Sequence, residues 1–145
     1  MFISCEWTHF PAFETSYNLD VNINAPASVQ FFQAIHHVLH RKHIQPVSSH
    51  MSTYLTQSGR FTDITEERRA VPIGEWPQDD GLSTIGSDQK TIFRRFTSSV
   101  MPVLVGAGME QRQAGQLIAD YLEELDNVEG LVCIYHITFA RKVSY

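Results

Sequence analysis

Apolar residues in the first third of the chain recur at two spacings, one typical of strands and one typical of helices. Over 17–23 they occupy every second position, which is the period of a half-buried strand: Tyr17, Leu19, Val21 and Ile23. A helix is predicted next, because Asn24 can act as an N-cap and Pro26 suits a first turn. We expect it to reach about Arg41, since its apolar residues recur at spacings of three and four: Phe31, Phe32, Ile35, Val38 and Leu39.

The strongest helical pattern lies in the last third of the chain. Its apolar residues form one helical stripe: Ala114, Leu117, Ile118, Tyr121, Leu122 and Leu125. Gly106 precedes this helix and Gly130 follows it. The run 131–140 is apolar on both faces, which is typical of a central strand covered on both sides.

The middle of the chain is predicted to form short strands and turns. Four strand candidates share alternating or β-branched residues: 47–55, 60–64, 68–74 and 90–96. The second and third of these are expected to form a β-hairpin. Turn-forming Gly, Pro, Asp and Ser residues predict a long loop over 75–89. The apolar stretch 97–105 fits either a helix or a strand.

This order of elements predicts one α+β domain over 1–145, with a mixed or antiparallel sheet backed by two main helices. The length suits one domain, and 43% hydrophobic against 19% charged residues favours a packed core over disorder. Residues 1–16 are expected to form an N-terminal arm too aromatic to remain uncovered. The aromatic residues assigned to this interface are Phe2, Trp7, Phe10 and Phe13.

Charge and hydropathy limit the partners. The formal net charge of −5 predicts no stable binding to nucleic acid. The pairs Glu66–Glu67 with Arg68–Arg69, and Arg94–Arg95, are interpreted as surface ion pairs. No apolar run reaches membrane-spanning length and no signal segment begins the chain, so we expect a cytoplasmic protein without a membrane partner. Cys5 and Cys133 form no CxxC motif.

Two short motifs combine a histidine with a hydroxyl two residues later. They are His50-Met51-Ser52 and His136-Ile137-Thr138, each on a predicted strand. Residues i and i+2 of a strand point to one face, so each imidazole would lie beside a hydroxyl. Two such strands side by side would supply a general acid, a general base and hydroxyl groups for phosphate oxygens.

These motifs resemble those of the 2H phosphoesterases, which carry two H-x-[S/T] motifs on strands of an α+β fold. The spacing from His50 to His136 is 86 residues, within the range of that family. The resemblance implies metal-independent cleavage of cyclic or 2′-5′ phosphodiesters, with His50, Ser52, His136 and Thr138 as catalytic residues. Members of the family usually continue well beyond the second motif, whereas this chain extends seven residues beyond Thr138.

A histidine cluster on the first predicted helix is a second candidate for chemistry. His36, His40 and His43 share one helical stripe, and imidazoles one turn apart can bind zinc or copper. No cysteine or acidic ligand accompanies them in the sequence. We therefore assign no metal and no cofactor, and expect histidines that line a surface.

A non-catalytic assembly subunit is the other functional class, and the sequence favours it slightly. The apolar run 131–140 and the aromatic N-terminal segment both require cover, which a homo-oligomer or larger assembly would supply. In size and architecture the chain resembles the ring-forming connector and tail-terminator proteins of tailed phages. That resemblance implies a virion component that closes a ring.

Overall fold

The sheet is organised around the C-terminal strand. The computed structural model describes residues 2–8, 25–44, 47 and 50–143, and only the backbone of residues 2–8. The elements in chain order are β1 (Phe2–Thr8), α1 (Pro26–Arg41), α2 (Met51–Ser58), β2 (Phe61–Pro72), α3 (Asp80–Gly106), α4 (Gln111–Asn127) and β3 (Val132–Lys142). The strand order is β1-β3-β2, so β3 is central, as its sequence predicts.

Both neighbours of β3 run antiparallel to it. Phe2 lies opposite Ala140 and Thr8 opposite Ile134, which sets the register of β1 against β3. On the other side, Val143 N–H donates to Arg60 C=O at 2.9 Å, while Ile73 N–H donates to Leu131 C=O at 2.8 Å. The antiparallel alternative of the predicted sheet is therefore the correct one.

The alternation of burial along β3 defines its two faces. One face is fully buried and carries Ile134, His136, Thr138 and Ala140, whereas the intervening residues are half-buried. By contrast, most side chains of β2 are exposed. β2 is an edge strand, and its charged residues are the type that protects an exposed edge from pairing with other chains.

The fold is a single α+β domain, as predicted, and its contacts divide the chain into two compact units. One unit comprises 1–9, 46–70 and 133–145, and carries β1, α2 and most of β2 and β3. The other comprises 10–45 and 71–132, and carries the three long helices. The sequence analysis predicted two main helices, whereas α3 is a third and the longest, with 27 residues.

An aromatic cluster forms the core between the three long helices. Phe31 of α1 stacks on Tyr121 of α4 with ring centroids 4.1 Å apart, and Phe32 meets Phe93 of α3 edge to face at 6.3 Å. Phe31, Phe32 and Tyr121 are buried. The apolar stripes predicted for α1 and α4 are thus confirmed as core faces.

The N-terminus of α1 is held by a side chain of α4. Glu124 accepts the backbone N–H groups of Ala27 at 2.8 Å and Ser28 at 2.7 Å. These donors have no partner within the helix, and a carboxylate also suits the positive end of the helix dipole. Ala25 is the N-cap residue and provides no side-chain cap. Asn24, the predicted N-cap, lies outside the described residues.

Gly86 lets a loop pack directly on α3. Gly74 N–H donates to the carbonyl of Gly86 at 2.8 Å, and a Cβ atom at Gly86 would lie 2.0 Å from the Gly74 oxygen. Gly74 itself has a φ of 106°, which favours glycine. Gly86 is therefore a packing residue inside a helix and does not form a turn.

Helices replace several predicted strands and turns. Residues 51–55 belong to α2, and α3 covers 90–96, 97–105 and the second part of the predicted loop, 80–89. Asp79 explains the last error, because its side chain accepts the N–H of Leu82 at 2.9 Å and caps a helix instead of closing a turn.

The predicted hairpin is also wrong. Residues 61–72 form the single strand β2, which pairs with β3 and not with itself. The strand predicted over 17–23 lies outside the described residues.

Candidate functional site

The two histidine motifs do not lie on neighbouring strands. His136 and Thr138 lie on β3 as predicted, but on its buried face, with exposed fractions of 2% and 1%. His50 is exposed and stands at the N-cap position of α2, and Ser52 lies in the first turn of that helix. The strand predicted for the first motif is therefore wrong, and residues i and i+2 of a helix do not share a face.

A third residue, Glu66 of β2, connects the two motifs. Its Oε2 accepts a hydrogen bond from Ser52 Oγ at 3.1 Å, and its Oε1 lies 3.1 Å from Nδ1 of His136. Arg68 Nε also donates to Oε1, at 3.3 Å. We call Ser52, Glu66 and His136 the Glu66 cluster. It brings together one residue of each predicted motif around a carboxylate that the sequence analysis assigned to a surface ion pair.

Hydrogen bonds keep Glu66 ionised. Burial alone would raise the pKa of Glu66, but the hydrogen bonds from His136, Arg68 and Ser52 outweigh that effect and lower the pKa of the carboxyl. An ionised Glu66 accepts only, so Nδ1 of His136 carries the proton and donates it to Oε1.

The geometry of the Glu66 cluster differs from that of a nucleophilic triad. In a triad the hydroxyl bonds to the imidazole, and the imidazole bonds to the carboxylate. Here the Ser52 hydroxyl donates directly to Glu66, as the His136 ring does. The arrangement gives the buried His136 ring and the half-buried Ser52 hydroxyl a hydrogen-bond partner, and it joins α2, β2 and β3.

His36, His40 and His43 do not come together as a group of three potential metal ligands. His36 is partly buried, and burial lowers its pKa, whereas His40 is exposed. His43 lies beyond the end of α1 at Arg41 and has a φ of 58°, so the predicted helical stripe does not extend to it. Over residues 25–44, 47 and 50–143, no three potential ligands come close enough to hold a metal ion.

The aromatic interface residues are only partly within the described chain. Phe2 and Trp7 belong to β1, where their backbones lie opposite Ala140 and Tyr135. Residues 2–8 of the predicted arm are thus a strand of the sheet. Phe10 and Phe13 lie outside the described residues.

A cleft of about 530 Å³ opens in the helical unit, beside the loop that packs on Gly86. Trp76, Lys90, Arg94 and Asp126 are among its lining residues. Arg94 and Lys90 both bind the Asp126 carboxylate, and these bonds lower the pKa of Asp126. The surface ion pair predicted for Arg94 is confirmed. The two basic groups of the cleft are thus already bound to an acidic one.

An exposed apolar stripe runs along α3. Leu82, Ile85 and Ile92 are exposed by 46%, 47% and 57%. They lie beside the buried face of the helix, which carries Phe93 and Val100. The sequence analysis missed this stripe because it assigned 75–89 to a loop and 90–96 to a strand. The sequence signal for this stripe was the recurrence of apolar residues at intervals of three and four positions.

No protein-family model, no curated protein and no solved structure matches the chain. Within the residues that the structure describes, none of the helices combines the length and the apolar character needed to cross a bilayer.

Proposed function

We propose that this chain is a non-catalytic subunit that assembles with other copies of itself. The observation that carries this proposal is the exposed stripe of Leu82, Ile85 and Ile92 on α3. Three large exposed aliphatic side chains lie along one side of the same helix, whereas isolated exposed residues of this kind are ordinary. Burial of that surface against another chain would be favourable.

The state of the histidine motifs supports the same proposal. A group that transfers protons to or from a phosphodiester must come within hydrogen-bonding distance of it. His136 and Thr138 are almost fully buried, and the Nδ1 proton of His136 is directed at Glu66. Both observations support a packing role for His136 and Thr138 within the sheet.

The finer form of the proposal is a ring-forming part of a phage virion, such as a head–tail connector or a tail terminator. It is supported by the α+β fold and by the acidic net charge of −5, which suits a component that does not adhere to DNA. A ring requires head-to-tail contacts between unlike surfaces of neighbouring copies, in addition to any two-fold contact.

The mass of the particle in solution tests the proposal. Light scattering over a range of concentrations should give a whole-number multiple of 16.5 kDa, and electron microscopy of the same sample should show closed particles. A mass of one chain at every concentration would contradict self-assembly. Oligomers that never close would contradict the ring while leaving self-assembly in place.

A 2H-type phosphoesterase is the second candidate. One observation favours it: Ser52 and His136, from the two separate motifs, meet at the same carboxylate. If the chain cleaves cyclic or 2′-5′ phosphodiesters, His50→Ala and His136→Ala should each abolish the activity. His50 is exposed, so its variant should remain folded and provides the cleaner test. Absence of cleavage by the wild-type chain would eliminate this candidate.

A further inference from the structure

We infer that α3 pairs with α3 of a second copy, antiparallel and around a two-fold axis near the middle of the exposed stripe. This inference rests on the proposed self-assembly and names the surface that performs it. The surface consists of exposed Leu82, Ile85 and Ile92 and of half-buried Phe96, whose ring also meets Phe31 edge to face. Asp88 and Arg95 lie at its edge.

The spacing of the stripe is that of a coiled-coil seam. Counting along α3, positions 82, 85, 89, 92 and 96 alternate steps of three and four residues, and four of the five are apolar. Such a repeat keeps one narrow stripe facing a partner helix along its length. From 82 to 96 the seam covers about 20 Å, at about 1.5 Å per residue. The spacing therefore favours a helix as the partner.

The single polar position within the seam is compatible with the pairing of two identical α3 helices. Gln89 is the one polar residue among those five positions. In an antiparallel pair centred between Gln89 and Ile92, each Gln89 lies beside Ile92 of the second copy. Ile85 likewise lies opposite Phe96. Both copies then contribute the same residues to both halves of the contact, as a two-fold interface requires.

Charge complementarity identifies the second copy as the partner. Asp88 and Arg95 are both exposed and lie one heptad apart on the same edge of the seam, the edge away from the buried face of α3. Along the helix axis, Asp88 lies about 4 Å from the centre of the pair on one side and Arg95 about 7 Å on the other, an offset of about 3 Å that the arginine side chain spans. When two copies align antiparallel, Asp88 of each meets Arg95 of the other, which forms two ion pairs. A parallel alignment would not bring them together.

Paired charge reversal tests this geometry. We expect Asp88→Arg and Arg95→Asp each to raise the dissociation constant of the dimer about tenfold, because each replaces two attractive pairs with two repulsive ones. The double variant D88R/R95D should restore wild-type affinity, since its pairs are only reversed. Analytical ultracentrifugation of the full chain measures all three. Both side chains are exposed, so circular dichroism should be unchanged.

Two further variants separate the seam from charge effects elsewhere. Ile92→Ser, at the centre of the seam, should weaken the dimer, whereas Arg112→Glu, an exposed charge reversal on α4, should not.

Failure of the double variant to restore affinity would overturn the antiparallel pairing. An oligomer that none of the α3 variants weakens would overturn the α3 inference and leave the proposed self-assembly in place. A wild-type chain that is monomeric at every concentration would overturn both the α3 pairing and the proposed self-assembly. If Ile92 is shielded from solvent in that monomer, the stripe is covered by an occupant other than a second copy.

Discussion

At the scale of single residues, Glu66 shows how an edge strand can hold a buried polar group. Its carboxylate accepts hydrogen bonds from Ser52, His136 and Arg68 and thereby connects a helix and two strands. Its side chain is 19% exposed, whereas that of the next residue, Glu67, is 50% exposed. Neighbouring glutamates in one acidic pair thus have different roles, and sequence alone does not distinguish them.

Replacement of Glu66 should be costly, and the cost should depend on pH. Glu66→Gln removes a charged acceptor, and we expect it to lower the free energy of unfolding by about 1–3 kcal/mol at neutral pH. Because the pKa of Glu66 is lowered on folding, its contribution is complete above the unfolded-state pKa of about 4.3 and is lost as pH falls through the folded-state pKa. Urea denaturation at neutral pH and at about pH 3 should show the difference between the variant and the wild type shrinking in acid.

Glu67→Gln is the matched control for that experiment. Its side chain pairs only with exposed Arg69 among the described contacts, at 2.8 Å. We expect a change below about 0.5 kcal/mol at either pH, since exposed ion pairs contribute little. Equal losses for the two variants would mean that the Glu66 cluster has no special role in stability.

At the scale of elements, packing explains which patterns in the sequence predict structure correctly. The stripes of α1 and α4 are long and periodic, and most of their apolar residues are buried as predicted. The sequence predicts β3 because a long apolar run follows Gly130. The structure places that strand at the centre of the sheet. Periodic apolar patterns of this kind indicate which side of an element is buried, and they can be recognised from the sequence alone.

The errors arise where one residue type serves two structural purposes. Asp79 and Gly86 are typical turn residues, yet one caps α3 and the other allows close backbone packing within it. In α2, Ser52 and Leu55 lie one turn apart and face inward. The residues of 47–55 also fit the alternating pattern of a strand, which is why a strand was predicted there. For the site, His136 was placed correctly on a strand, whereas Glu66 becomes special only through the contacts it makes.

The close approach of the loop to Gly86 predicts that adding a single methyl group lowers stability at this position but not at Gly106 of the same helix. Gly86→Ala would place Cβ 2.0 Å from the Gly74 oxygen, so the loop must shift away from α3. We expect a loss of about 1–3 kcal/mol in the free energy of unfolding, measured by chemical denaturation. Gly106→Ala, in the last position of the same helix, meets no atom within 4 Å and should be neutral or stabilising. A tolerated Gly86→Ala would contradict the tight packing of this loop.

The contact of Glu124 with the N-terminus of α1 gives a second prediction at this scale. Glu124→Ala would leave the N–H groups of Ala27 and Ser28 without their carboxylate partner. We expect a loss of about 1–2 kcal/mol, comparable to removal of an N-cap side chain. Glu123→Ala, at the exposed neighbouring position, should change stability by less than about 0.5 kcal/mol. Thermal unfolding of the two variants side by side measures the difference.

At the scale of the whole molecule, charge limits what the chain can bind. The net charge is −5, and the basic residues of β2 are already paired, Arg68 with Glu66 and Arg69 with Glu67. Lys90 and Arg94 are paired with Asp126. Contacts of these four basic residues to phosphate groups would require their ion pairs to break, which opposes binding of nucleic acid at these positions.

We therefore expect no binding to nucleic acid at physiological salt. Fluorescence anisotropy of labelled single- and double-stranded DNA and RNA should remain flat up to at least about 10 μM chain. Repeating the titration at low salt controls for weak non-specific attraction, which would vanish when salt is restored. Saturable binding at physiological salt would contradict the expectation and direct attention to residues outside the described part of the chain.

The central position of β3 has a consequence for the order of events during synthesis. β1 and β2 are made first, but in the sheet order β1-β3-β2 neither has its strand neighbour until β3 leaves the ribosome. The helices α1, α3 and α4 all precede β3 and can pack together beforehand. The sheet therefore cannot be completed before β3 is made, and until then the charged residues of β2 oppose its pairing with other chains.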